Sequence, residues 1–183
     1  FYAPIMISGL EDTESNTVEI HLTSDANEEQ VAQVNWTVTD VEGAIISDGT
    51  IETIIPVRAN QLIQTLDLSS EITSHSQSGL IIWLSLQVEE KIISENLVTL
   101  SRPKTLNITK PKISITSQEA GRDTYQLRLE TDVPALYVWL ELTDARFSDN
   151  FFHIRPGQAK TLSVSASELE GLTVNSLIDT YMD

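Results

Sequence analysis

The chain has 183 residues, 40% of them apolar and 21% charged, a balance that builds packed cores and argues against disorder. Its 11 Lys/Arg against 27 Asp/Glu give a formal charge of −16, so a nucleic-acid partner, which needs clustered cations, is not expected. Cysteine is absent, which removes disulfides, zinc–thiolate sites and thiol nucleophiles, and no apolar run approaches the roughly 20 residues of a membrane span.

The opening "FYAPIMISGL" has no basic segment before its apolar residues and soon turns acidic, so it does not read as a secretory leader. Without Met at position 1, the chain is expected to be a piece of a longer polypeptide. Period-two alternation then takes over. "TVEIHLTS" places Val18, Ile20 and Leu22 opposite Glu19 and His21, and "QVNWTVTD" places Val34, Trp36 and Val38 opposite Asn35 and Thr37. "VEGA" (41–44) and "SDGT" (47–50) read as tight hairpin turns, with glycine supplying positive φ.

Further along, "GLIIWLSLQVEE" sets Leu80, Ile82, Leu84, Leu86 and Val88 on one face. "DTYQLRLE" sets Tyr125, Leu127 and Leu129 opposite Gln126, Arg128 and Glu130, after a longer turn at "EAGRD". Each pattern fits a strand with one buried and one wet face, as in antiparallel sheets. "RPGQ" (155–158) carries the Pro-Gly pair of a type II turn. Only "SASELEGL" (165–172) suggests a helical turn, with Ser165 or Ser167 as cap and Gly171 as stop. Many short strands between turn signals predict an all-β chain of antiparallel β-sandwiches.

The alternation breaks at "SRPKTLNITKPK", which brings two prolines and four basic residues. Charge also shifts there: residues 1–103 hold 3 Lys/Arg and 16 Asp/Glu, residues 104–183 hold 8 and 11. The expected division is a sandwich over 1–103 and a second over 104–183.

Catalytic constellations are thin. His21, His75 and His153 are scattered, with no second histidine at metal-ligand spacing, so no metal or cofactor is expected. No "GxSxG" elbow and no glycine-rich phosphate loop occur. The many carboxylates fit strand outer faces and turns better than a glycosidase pair. "SDN" (148–150) offers oxygens for calcium but too few ligands.

Aromatic residues carry more. Trp36 faces inward and reads as core. Trp83 shares a face with Ile81, opposite the run from Leu80 to Val88, and Trp139 sits with Tyr137. Ile81, Trp83, Tyr137 and Trp139 are therefore candidates for packing against a neighbouring domain or for stacking on sugar rings, with packing preferred.

Three stretches resemble the β-mannosidases of glycoside hydrolase family 2. "FYAPIMIS" resembles their exit from the catalytic barrel, and "ENLVTLSRPKTLNITKPKISI" the junction of their two C-terminal sandwiches. "DARFSDNFFHIRPGQAKTLSV" with "VNSLIDTYM" resembles their last immunoglobulin-like domain. The resemblance implies two tandem immunoglobulin-like sandwiches that follow a barrel bearing two catalytic glutamates, so no catalytic residue is expected in this chain. It also implies that Arg146, Phe147, Ser148, Asp149, Asn150, Phe151 and Phe152, with Pro156 and Gly157, form a structural corner. Phe147 and one of Phe151 or Phe152 would plug the gap between sheets, while Asp149 and Asn150 hold exposed backbone. The expected partner is the catalytic barrel of the same polypeptide, with a homodimer formed through the parent as a further contact. A mannan-binding module is the alternative.

Overall fold

The computed structural model describes residues 3–181; Phe1 and Tyr2 of the opening motif and Met182 of the last lie outside the described residues. The chain divides into two compact units, Phe1–Asn107 and Ile108–Asp183.

The first unit runs through β1 (Ile5–Asp12), β2 (Thr17–Ser24), β3 (Gln30–Asp40), β4 (Ile45–Ile55) and β5 (Ala59–Asp67). A short helix, α1 (Ser69–His75), then leads to β6 (Leu80–Val88) and β7 (Lys91–Val98). One antiparallel sheet has the order β1-β2-β5 and the other β4-β3-β6-β7. Val18, Ile20 and Leu22 of β2 meet Val34 and Val38 of β3 and Ile82, Leu84 and Leu86 of β6 in one buried cluster. Those residues are the alternating positions read from the sequence, and burying each is worth about 1.5–3 kcal/mol. Trp36 is half-buried and packs against the same cluster.

Two local expectations change. Residues 41–44 do form the β3–β4 turn, with Gly43 at φ 94° and the Asp40 carboxylate accepting from the amides of Glu42 and Ala44. "SDGT", however, is not a turn: it lies inside β4, where Gly49 pairs with Trp36 across the ladder. A Cβ at Gly49 would lie 2.6 Å from the indole carbons Cε2 and Cζ2, so the glycine makes room for the indole. The helix also lies elsewhere. α1 has a single apolar residue, Ile72, too little to show a 3.6-residue period. "SASELEGL" instead finishes a strand and makes a turn, in which the Leu172 amide donates to the Leu169 carbonyl.

The second unit contains β8 (Ile113–Gly121), β9 (Thr124–Thr131), β10 (Ala135–Glu141), β11 (Arg146–Phe147), β12 (Phe152–Ile154), β13 (Lys160–Ser165) and β14 (Thr173–Asn175). A 3₁₀ turn at Leu177–Thr180 follows. Its sheets are β12-β10-β14 and β11-β13-β9-β8. Val138 and Leu140 of the first sheet and Leu127, Leu129, Leu162 and Val164 of the second share one core. The fold is thus all-β, two antiparallel immunoglobulin-like sandwiches in tandem.

Candidate functional site

In the segment 146–158, the side chains of Ser148 and Asn150 are spent on backbone, and that of Asp149 on an ion pair. Phe152 is 7% exposed and in the core, while Phe147 is half-buried against it. Phe151 is instead 67% exposed. Ser148 extends the β11–β13 pairing: its amide donates to the Ser163 carbonyl at 2.8 Å, and its Oγ accepts from the Ser163 amide at 2.9 Å. Asn150 accepts from the Leu140 amide at 2.9 Å and donates to the Leu140 carbonyl at 3.1 Å. Asp149 holds Lys160 at 2.6 Å, and the Lys160 ammonium lies 5.1 Å from the centre of the Phe152 ring. Arg146 is exposed. Pro156 and Gly157 make the turn, with Gly157 at φ 77° and the Gln158 amide donating to the Arg155 carbonyl.

The oxygens of "SDN" are therefore committed to the protein itself. Among the described residues, no group of three or more His, Asp or Glu is placed to hold a metal ion. An open depression beside Phe147 is edged by Glu141, Thr143 and Thr173 and has no second carboxylate in its lining.

The aromatic candidates separate. Ile81 is fully buried and has no surface to offer a partner. Trp83 is half-buried, and its indole N–H donates to the buried Thr39 hydroxyl at 3.0 Å. Tyr137 and Trp139 lie outside the core cluster of the second unit, whereas Ala135, Val138 and Leu140 of the same strand lie in it. Two residues join them that the sequence pattern did not single out for this face. Phe151 lies nearly parallel to Trp139, with ring centres 6.3 Å apart and planes 17° apart. His153 meets Tyr137 edge-on at 4.6 Å. The outer side of the β12-β10-β14 sheet thus carries a four-ring aromatic face.

Its backbone is unusual. Tyr137 (φ 49°) and Phe151 (φ 64°) both lie in the left-handed region, which bulky residues rarely occupy. The β10–β12 register slips between Ala135 and Val138, and this bulge withdraws Tyr137 from the ladder. Side chains supply the missing acceptors: His153 Nδ1 takes the Tyr137 amide at 3.1 Å, and Asn150 Oδ1 takes the Phe151 amide at 3.2 Å. Burial, and then the positive charge of Lys160, push the His153 pKa down to about 4.

Fold and site together define a tandem of immunoglobulin-like β-sandwiches with an aromatic outer face. Residues 16–105 match the family described as the mannosidase Ig/CBM-like domain, and residues 108–180 match the Ig-fold domain family of mannosidases. The chain belongs to these tandem immunoglobulin-like domains of the β-mannosidase family.

β-Mannosidase A of Neosartorya fischeri is 29% identical over an alignment that takes in 97% of this chain and 21% of that protein. The Aspergillus niger relative of the same name is 25% identical with the same coverage. Among solved structures, the β-D-mannosidase of Dictyoglomus thermophilum superposes with a TM-score of 0.82 at 17% identity, over 95% of this chain and 22% of that one. The exo-chitosanase CsxA of Amycolatopsis orientalis gives 0.68 at 14% identity, over 96% and 25%. The structural likenesses speak for the fold. The chain spans about a fifth of the length of the β-mannosidases it matches.

Proposed function

We propose that this chain is the non-catalytic C-terminal accessory portion of a retaining exo-β-mannosidase of glycoside hydrolase family 2, whose catalytic glutamates lie in a barrel elsewhere in the same polypeptide. Its role is to dock on that barrel and stabilise it. The observation that carries this reading is the aromatic face of Tyr137, Trp139, Phe151 and His153. Phe151, 67% exposed, lies beside Trp139, and Tyr137, 39% exposed, meets His153 edge-on, so neither ring stands singly. Clustered exposed aromatics mark a surface that gains by being covered, and the length of the relatives beyond this chain supplies the occupant. Covering each such ring is worth roughly 1.5–3 kcal/mol.

The same geometry weighs against sugar stacking. A sugar platform presents ring faces to solvent, whereas Trp139 is half-buried beside Phe151 and the Tyr137 ring is braced by His153. The test is a full-length parent carrying Phe151→Ser and Tyr137→Ser. Docking lowers its melting temperature by several degrees while the corresponding isolated chain keeps its own. An unchanged parent overturns docking through this face, and heat on titrating the isolated chain with manno-oligosaccharides favours the binding-module alternative.

A further inference from the structure

The imidazole of His153 stands where the β10–β12 bulge leaves the Tyr137 amide without a carbonyl. We propose that the Tyr137–His153 pair is a proton-operated latch: the neutral ring holds Tyr137 in its left-handed conformation and so shapes the aromatic face, and protonation releases both. The effect on docking rests on the reading above; the latch itself does not.

The chemistry follows from the ring's two nitrogens. Nδ1 accepts the Tyr137 amide only while unprotonated, which places the ring's single proton on Nε2. A second proton at Nδ1 would set one N–H against another, and Tyr137 would lose the contact that offsets its unfavourable φ of 49°. The Tyr137 ring also packs against the imidazole edge-on, so backbone and side chain loosen together.

The surroundings resist protonation until the solution is acidic. From β13 comes the Lys160 ammonium, itself paired with the Asp149 carboxylate of the loop before β12, and from β10 the Tyr137 phenol. Arg155 follows two residues along the same segment. A charged imidazole would join one cation whose counter-ion is taken, with burial adding to the cost. The second clasp of the face, Asn150 on the Phe151 amide, is a non-titrating amide and serves as an internal control.

Amide NMR of the intact 183-residue chain between pH 7 and 3 tests this. The latch requires the Tyr137 amide to shift and lose at least tenfold of its exchange protection with the same midpoint as the His153 ring, near pH 4, while the Phe151 amide holds. His153→Gln, whose carbonyl stays an acceptor, should lack the transition. Tyr137→Gly, which needs no clamp at positive φ, should show the ring titration with little backbone response. If acid unfolds the chain in one step, the latch requires that step to move to lower pH in His153→Gln. Separate midpoints for Tyr137 and His153, a transition retained in His153→Gln, or an unshifted unfolding step overturns it. In the full-length parent, a latch that opens without weakening docking near pH 4 leaves the latch standing and refutes the docking reading.

Discussion

Asn150 grips the peptide group of Leu140 from both sides, accepting its N–H at 2.9 Å and donating to its carbonyl at 3.1 Å. A carboxamide has the same donor–acceptor pair as a backbone peptide, so the side chain stands in for one residue of a neighbouring strand. It does so next to the point where β10 leaves its pairing with β12 at Val138, and it also takes the Phe151 amide. The clasp therefore connects the ladder, the bulge and the position of the exposed aromatic ring.

Asn150→Ala should destabilise the chain by about 2–4 kcal/mol, since it leaves two part-buried backbone groups with weakened partners. Asn150→Asp should not restore stability, because a carboxylate repels the Leu140 carbonyl. Urea denaturation checks both. A loss under about 0.5 kcal/mol for alanine would show that water replaces the clasp without cost.

In the first unit, the β1 backbone meets β7 side chains where the two sheets come together at their edges. The Ile7 amide donates to Ser94 Oγ and the Gly9 amide to Asn96 Oδ1, both at 3.1 Å. Gly9 allows that approach: a Cβ there would overlap Val98 Cγ2 and crowd Leu84 and Val18 at 3.1 and 3.2 Å. Gly9→Ala should cost about 1–3 kcal/mol by overpacking. Combining it with Val98→Ala should cost less than the two single changes summed, because the second change opens the space that the first one fills. Strict additivity in thermal denaturation would place the strain elsewhere.

The legible parts of this molecule are those set by period two. Val18 to Leu22 and Leu80 to Leu86 could be assigned to a core because alternation alone decides which side of a sheet is buried. The same rule set Trp139 outward, between buried Val138 and Leu140. Contacts between positions distant in sequence were not legible. Gly49 reads as a turn residue because glycine commonly marks turns, but here it makes room for Trp36 from the adjacent strand. Neither Tyr137 nor Phe151 is a residue type that announces a left-handed backbone, so the bulge and its two clasps had no local signal. Ile81 sits on the outer face by alternation, yet it is fully buried.

Two histidines on strand faces respond to protons in opposite senses. His21 is hydrogen-bonded to Glu19 at 3.1 Å, which raises its pKa; burial opposes this and Asn60 assists it. Its stabilising contribution is full below the ordinary value of 6.5 and is lost as pH rises through the higher folded value. Glu19→Gln should bring the His21 midpoint down in an NMR titration and cost only a few tenths of a kcal/mol, as for other exposed pairs. An unmoved midpoint would deny Glu19 its part. The lowered pKa of His153 has the reverse effect, favouring the fold above pH 6.5 and opposing it as pH falls toward 4.

Asp179 closes the second unit by joining its two ends. It accepts from the amide and hydroxyl of Ser176, forming the capping box of the last 3₁₀ turn, and it pairs with Lys110 from the start of the unit at 2.7 Å. Burial works to raise its pKa, but Lys110 and the Ser176 donors together outweigh that and hold it below 3.8. The carboxylate's contribution is therefore complete above pH 3.8 and disappears as pH falls through the lower folded value. Asp179→Asn keeps an acceptor for Ser176 but removes the charge, so it should cost about 1 kcal/mol at neutral pH and flatten the acid side of the stability curve. Asp179→Ala should cost more, by losing the cap as well. Hydrogen exchange at residues 176–181 reads the difference: if the turn stays equally protected in both variants, neither the cap nor the ion pair fastens it.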